Sequence, residues 1–171
     1  MIIDSLNITT DFNGIVIFSY PEITEYFGGK IHNGQNILRE FTETDLGDYV
    51  LDKGSVIPII NIDDGEYFVR FLDKSDTNTK IKKIFKNSGY LLEFSENIYI
   101  ADAAVFWDWE THLGWKEVKL KPGKYEVSIE GVHHTDDEGK IISLGYDIIV
   151  RKVRALPLRT AKIPDSSSIL F

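Results

Sequence analysis

A chain of 171 residues, 43% apolar and 12% aromatic, holds enough hydrophobic material for one domain with a real core and is too apolar for global disorder. With no cysteine it builds neither a disulfide framework nor a thiolate metal site, and thiol catalysis and thiol redox chemistry are excluded with them. A net charge of −8 and a pI near 5.0 repel nucleic acid and anionic membranes, so a partner selected by charge would be basic, although ordinary cytosolic proteins share this balance.

The N-terminal stretch "MIIDSLNITTDFNGIVIFSY" lacks a basic region, and Asp4 and Asp11 interrupt its apolar residues, so it does not read as a signal peptide. No run approaches the roughly 18 apolar residues of a membrane helix, and a cytoplasmic location is expected. "SLNIT" and "GIVIFSY", joined through Asp11, Phe12 and Asn13, read as a first hairpin. A long irregular excursion over 22–50 follows, rich in Gly-Gly and Asn-Gly, with one short helical turn around Ile37 to Phe41.

"SVIPIINIDDGEYFVRFL" reads as a second hairpin turning at Asp63, Asp64 and Gly65. Pro58 cannot donate to a ladder, which puts its arm at an edge or a bulge. "TKIKKIFKN" and "GYLLEFSENIYIADAAVF" read as further strands, joined by Asn87-Ser88-Gly89 and broken at Ser95-Glu96-Asn97. In "GKYEVSIEGVHHT", Tyr125, Val127 and Ile129 alternate with Glu126, Ser128 and Glu130, a strand with one wet face. "KIISLGYDIIVRKVR" repeats the pattern with Ile142, Leu144, Tyr146, Ile148 and Val150, and the polar "TDDEG" between them suits a hairpin turn. The tail over 160–171 reads as an extended or disordered end. Turn signals at this density predict an all-β, antiparallel two-sheet sandwich of about eight to ten strands, a single domain over 1–171.

Two stretches concentrate chemistry. "VFWDWETHLGWKEV" holds all three tryptophans, and "GVHHTDDEGK" pairs two histidines with three acids. Metal binding is not expected: His133 and His134 are adjacent on a strand and point to opposite faces, and Asp136, Asp137 and Glu138 lack the alternating ligand spacing of a calcium loop. On a strand, Asp108 and Glu110 would share one face while Trp107 and Trp109 shared the other. That is either a carboxylate pair for hydrolysis or the wet side of a half-buried strand. No glycine-rich phosphate loop or nucleophile elbow appears, so neither an enzyme nor a cofactor is expected. The tryptophans fit a sugar platform, an interface anchor or a core, with two buried and one near the surface. The basic residues Arg151, Lys152, Arg154 and Arg159 read as a solvated edge balancing the acidic surface.

Leu120-Lys121-Pro122-Gly123-Lys124-Tyr125 makes a turn and then opens an alternating strand. This lead-in, with the order of pieces over 66–153, resembles the small bacterial β-sandwich proteins related to the competence-associated inhibitor of a DNA-uptake nuclease, and immunity proteins of polymorphic toxin systems. The resemblance implies stoichiometric inhibition of a cognate toxin or nuclease without catalysis. It carries over no functional residue. Charge and aromatic placement point instead to Trp107, Asp108, Trp109, Glu110, His112, His134, Asp136, Asp137 and Glu138 as the surface for a basic protein partner. The alternative is a carbohydrate- or ligand-binding sandwich using Trp107, Trp109 or Trp115.

Overall fold

The computed structural model describes residues 1–169. The strongest alternation in the sequence forms the longest pairing: β8 (Gly123–Thr135) and β9 (Ile141–Val153) run antiparallel along nearly their whole lengths. Gly139 takes the left-handed conformation that closes the turn between them (φ 81°). Before them come β1 (Ile2–Thr10), β2 (Gly14–Tyr20), a 3-10 turn (Glu22–Phe27), α1 (Ile37–Glu43), α2 (Leu46–Asp52), β3 (Val56–Ile60), β4 (Gly65–Leu72), β5 (Ile81–Phe94), β6 (Asn97–Asp102), α3 (Ala104–Trp107) and β7 (Lys116–Val118). The strands make a five-stranded sheet, β1-β4-β9-β8-β5, and a four-stranded sheet, β3-β2-β6-β7. The all-β two-sheet expectation holds, with one parallel pair, β4 with β9.

The core lies between the sheets, where Ile15, Ile17, Ile57, Ile59, Ile98 and Ile100 meet Val69, Phe71, Leu92, Val127, Tyr146 and Ile148. β2 is apolar on both sides because a second cluster covers its outer face. There Val16 and Phe18 pack with Ile23, Ile37, Val50, Phe106 and Trp109. The excursion over 22–50 is therefore the lid of the four-stranded sheet, and its helical turn is a pair of short helices.

Three local expectations are corrected. Neither early hairpin exists, because β1 and β4 lie in the five-stranded sheet while β2 and β3 lie in the four-stranded one. The two links cross between the sheets side by side. Asn13 N–H donates to Asp64 Oδ1 (2.9 Å) and Asn13 Nδ2 to the Ile62 carbonyl (3.0 Å). Alternation identifies a strand but not its partner, and a short polar link serves a crossover as well as a hairpin. Asn87-Ser88-Gly89 is no turn either: β5 runs through it with a register shift between Ser88 and Tyr90. Gly89 has φ 90° and its carbonyl accepts from Thr160 and Ala161, while a Cβ there would lie 2.0 Å from Thr160 Oγ1. The glycine marks where the C-terminal segment crosses the edge.

The third correction concerns the wet face of β8. Glu130 is 1% exposed and its neighbour Asp147 on β9 is 0% exposed, because the β4–β5 loop roofs them. The tail beyond Thr160 has no strand among the described residues, yet it docks along both open edges on one side of the sandwich. Thr160 and Ala161 bond β5, and Ser167 N–H donates to the Ile60 carbonyl on β3. Leu170 and Phe171, the end of the tail predicted as extended or disordered, lie outside the described residues. Pro58 sits on an edge strand, as expected.

Candidate protein-binding surface

The corner that carries Trp107 is built by one carboxylate. Asp102 Oδ1 accepts from Thr10 Oγ1 (2.9 Å) and from Ala104 N–H (3.2 Å), and Oδ2 accepts from Asp11 N–H (2.9 Å). Thr10 Oγ1 in turn accepts from Phe12 and Gly14 N–H. These bonds fix the β1–β2 link against the end of β6 and satisfy the first amide of the helical turn α3. The strand thus ends at Asp102, so Asp108 and Glu110 do not alternate with the indoles on a strand as the sequence suggested. Both are exposed, beyond the helical turn.

The helical turn separates the tryptophans. Trp107 is 55% exposed and packs on Phe12, ring centroids 5.8 Å apart. Trp109 is 0% exposed. Its carbonyl accepts from Gly34 N–H, its amide donates to the Gln35 carbonyl, and its indole N–H donates to Thr111 Oγ1 (3.2 Å). It clamps the excursion onto the sheet. Trp115 is half-buried among Phe18, Tyr20, Tyr99 and Trp109, all within 5.4 Å between centroids. His112, with φ 64°, stands edge-on to Tyr20 and Tyr99 at the solvent side of this nest. Of the three indoles, Trp107 alone offers a broad free surface. Leu113, also exposed, borders a separate hollow with Ile8, Val105 and Lys116.

The acidic turn belongs to the other sheet. Asp136 is occupied in shaping it: Oδ1 accepts from the amides of Glu138 and Lys140, each at 2.9 Å. Asp137 pairs with Lys80 (2.7 Å), and Glu138 is exposed. His134 is half-buried against Phe68, and His133 points inward, donating to the Ile169 carbonyl (2.5 Å). The registers put Thr10 beside Gly65, Gly14 beside Ile60, Ile15 beside Asp102 and Thr135 beside Ile141. All these connections therefore emerge at one end of the sandwich, which displays the exposed carboxylates of Asp11, Asp63, Asp64, Asp108, Asp137 and Glu138 around the Phe12–Trp107 pair. Glu110 and His112 lie on its flank. Phe12 was missed by sequence reasoning, although an aromatic side chain inside the turn "DFNG" is itself a signal.

A second cluster was also missed. On the outer face of the five-stranded sheet, Arg70 binds both oxygens of Asp147 (2.8 and 2.6 Å) and Asp76 (2.9 Å). Ser75 Oγ donates to Glu130 (2.5 Å), which also faces Lys83 and Lys86. Burial pushes the Asp147 carboxyl up while Arg70 pulls it down. The Asn78 amide and Arg70 hold Asp76 below the usual carboxylate range. These groups brace the β4–β5 loop on the sheet, while Glu130 Oε2 has no hydrogen-bond partner among the described residues and faces Lys83 Nζ at 3.7 Å.

Among the described residues no three or more histidine and carboxylate side chains converge as metal ligands, and no helix is long and apolar enough to cross a membrane. No known protein-family description matches the sequence, and no curated protein matches it. Solved structures do. ComJ from Bacillus subtilis, an inhibitor of the DNA-degrading activity of NucA, is 14% identical with a TM-score of 0.51, over 90% of this chain and 98% of that one. The product of crocagin biosynthetic gene J is 13% identical with a TM-score of 0.49, over 88% and 96%. The likeness to ComJ is one of fold. It extends well beyond the 66–153 span on which the sequence resemblance rests, so the two chains share their fold along most of their lengths.

Proposed function

We propose that this chain is a non-enzymatic inhibitor or immunity protein that binds a basic bacterial nuclease or toxin in the cytoplasm, with the acidic end of the sandwich as its contact surface. The carrying observation is the meeting, at that end, of an exposed ring pair with carboxylates from four connections. A large aromatic side chain such as Trp107 is a common anchor of tight protein contacts, and charges around it act through their field. The surrounding field would raise association with a cationic partner by factors of about 10 to 1,000 at low salt. The fold shared with a solved nuclease inhibitor supports the same reading. Trp107, Asp108, Glu110 and His112 then meet the partner directly, with Asp137 and Glu138 adding field and His134 at the margin. Trp109 and Asp136 act by holding their loops in shape.

The test is protection. The product of a nuclease or toxin gene adjoining this one is assayed with and without an equimolar amount of the chain, across a salt series. Stoichiometric protection that weakens as salt rises is the expected outcome. Full nuclease or toxin activity in the presence of excess chain at low salt would overturn the proposal. If glycans instead quench Trp107 emission while protection fails, the sugar-platform alternative takes its place.

A further inference from the structure

The chain supplies its own cations to two of its outward-facing rings. Lys53 Nζ stands 5.4 Å from the centroid of the exposed Tyr49 ring, and the Arg70 guanidinium 5.8 Å from that of Phe68. Trp107 is more exposed than either, and an indole is the strongest aromatic platform for a cation. Yet among the described residues no lysine or arginine stands over it or over Phe12.

The carboxylates on either side are equally unclaimed. Asp11 precedes Phe12 and Asp108 follows Trp107; both are exposed, and neither side chain forms a bond among the described residues. The Asp102 carboxylate sets the two halves against each other. Its Oδ2 accepts from Asp11 N–H (2.9 Å), and its Oδ1 from the Ala104 N–H (3.2 Å) that opens the helical turn ending at Trp107. Phe12 supports the indole from one side, 5.8 Å between centroids. The rest of the ring is held open between two free acids.

Three kinds of side chain can meet such a surface. An apolar one would stack on the ring and strip water from both acids without pairing them, which is costly. A lysine would pair with an acid, but its strongly hydrated point charge has no plane to lay on the indole. A guanidinium does both, with its flat face on the ring and its edge N–H groups turned outward to the carboxylates. We propose that Trp107 receives an arginine of the protein partner, stacked on the open part of the indole with its N–H groups toward Asp11 and Asp108. This deepens the inhibitor reading, which supplies the partner, while the preference for arginine comes from the ring and the two acids.

The probes are three blocked tripeptides, glycine–X–glycine with X arginine, lysine or citrulline, titrated at low salt into the nitrogen-15-labelled chain. The Trp107 indole N–H signal, assigned through Trp107→Leu, is expected to move with the arginine peptide while that of Trp109 stays. The lysine peptide should bind at least about threefold more weakly. Citrulline, planar but uncharged, should bind at least about tenfold more weakly. In Trp107→Leu, followed on the Asp11 and Asp108 amides, the arginine and lysine peptides should bind alike. Asp11→Asn with Asp108→Asn should weaken both by about threefold or more and leave arginine ahead. Equal binding of arginine and lysine by the parent chain, a preference that survives Trp107→Leu, an unmoved Trp107 signal, unchanged affinities in the doubly neutralised variant, or no binding at low salt overturns the inference. Arginine preference without protection in the nuclease or toxin assay leaves the arginine site standing without the inhibitor reading. Protection without arginine preference leaves the inhibitor reading standing without the arginine site.

Discussion

The two sheets turn opposite outer faces to the rest of the chain, and each is covered by a different chemistry. On the five-stranded sheet the cover is a loop whose Ser75 and Asp76 join Arg70, Glu130, Asp147, Lys83 and Lys86 in a nearly closed set of charges. On the four-stranded sheet the cover is aromatic: Phe18, Phe106, Trp109 and Trp115 pack edge to face beneath the excursion. The contrast shows which acids are free to act on a partner. Glu130 and Asp147, where alternation promised a wet face, are consumed internally. Asp11, Asp108 and Glu138, whose side chains form no bond among the described residues, stand instead on the connections at the end that carries Phe12 and Trp107.

The two covers should fail in different ways. Arg70→Met leaves Asp147 buried without its cation and is expected to cost about 3–5 kcal/mol in urea unfolding. Adding Asp147→Leu should restore most of that loss, since an apolar pair of similar volume is nearly neutral at such a site. Trp109→Ala should cost a comparable amount, about 3–5 kcal/mol, with loss of the near-ultraviolet aromatic signal. Here no single companion substitution should recover it, because the indole fills a volume shared by several rings. If the double variant on the charged face stays as unstable as Arg70→Met, that face depends on specific hydrogen bonds rather than on charge balance.

Much of this architecture is legible from residue order. β8 and β9 follow from period-two alternation and from Asp136 and Gly139 at their turn, and Pro58 identifies an edge. What alternation cannot carry is partner choice, which is why β1 with β2, and β3 with β4, read as hairpins although each pair splits between sheets. Burial created by distant segments is equally hidden. Nothing local to "SIEGV" announces that residues 73–80 will close over Glu130. At the site, the aromatic-acidic stretch was visible but its geometry was not. The strand reading fails where Asp102 turns its carboxylate to cap α3, and that one event sends Trp107 outward and Trp109 inward.

A smaller effect separates the two carboxylates that share Arg70. Asp76 is held below its ordinary value near 3.8 by the Asn78 amide and Arg70, so it stabilises the fold above that value and the contribution is lost as pH falls through the lower folded value. Asp147 is raised chiefly by burial, so its contribution runs the other way, greatest in acid and lost as pH rises through the folded value. Asp76→Asn should therefore cost about 1–2 kcal/mol at neutral pH, and the gap to the parent should close below about pH 4. A gap that persists unchanged into acid would mean that Asp76 acts through shape and not through its charge.

The smallest effect on folding should accompany the largest on binding. Trp107 is more than half exposed and gives up only its contact with Phe12, so Trp107→Ala should shift stability by no more than about 1 kcal/mol. As the anchor of a partner contact it should instead cost about 2 kcal/mol or more of binding, near thirtyfold in affinity and expressed mainly as faster dissociation. Asp108→Lys beside it should leave stability untouched and act chiefly on the association rate and its salt dependence, because an exposed rim charge works through the field. Opposite behaviour, with Trp107→Ala unfolding the chain or leaving inhibition intact, would move the contact away from this end. The buried partner ring then decides the matter. Trp109→Ala disturbs the same loop from within, so a contact made by Trp107 must weaken in both variants, whereas a contact made elsewhere weakens in neither beyond the loss of folded protein.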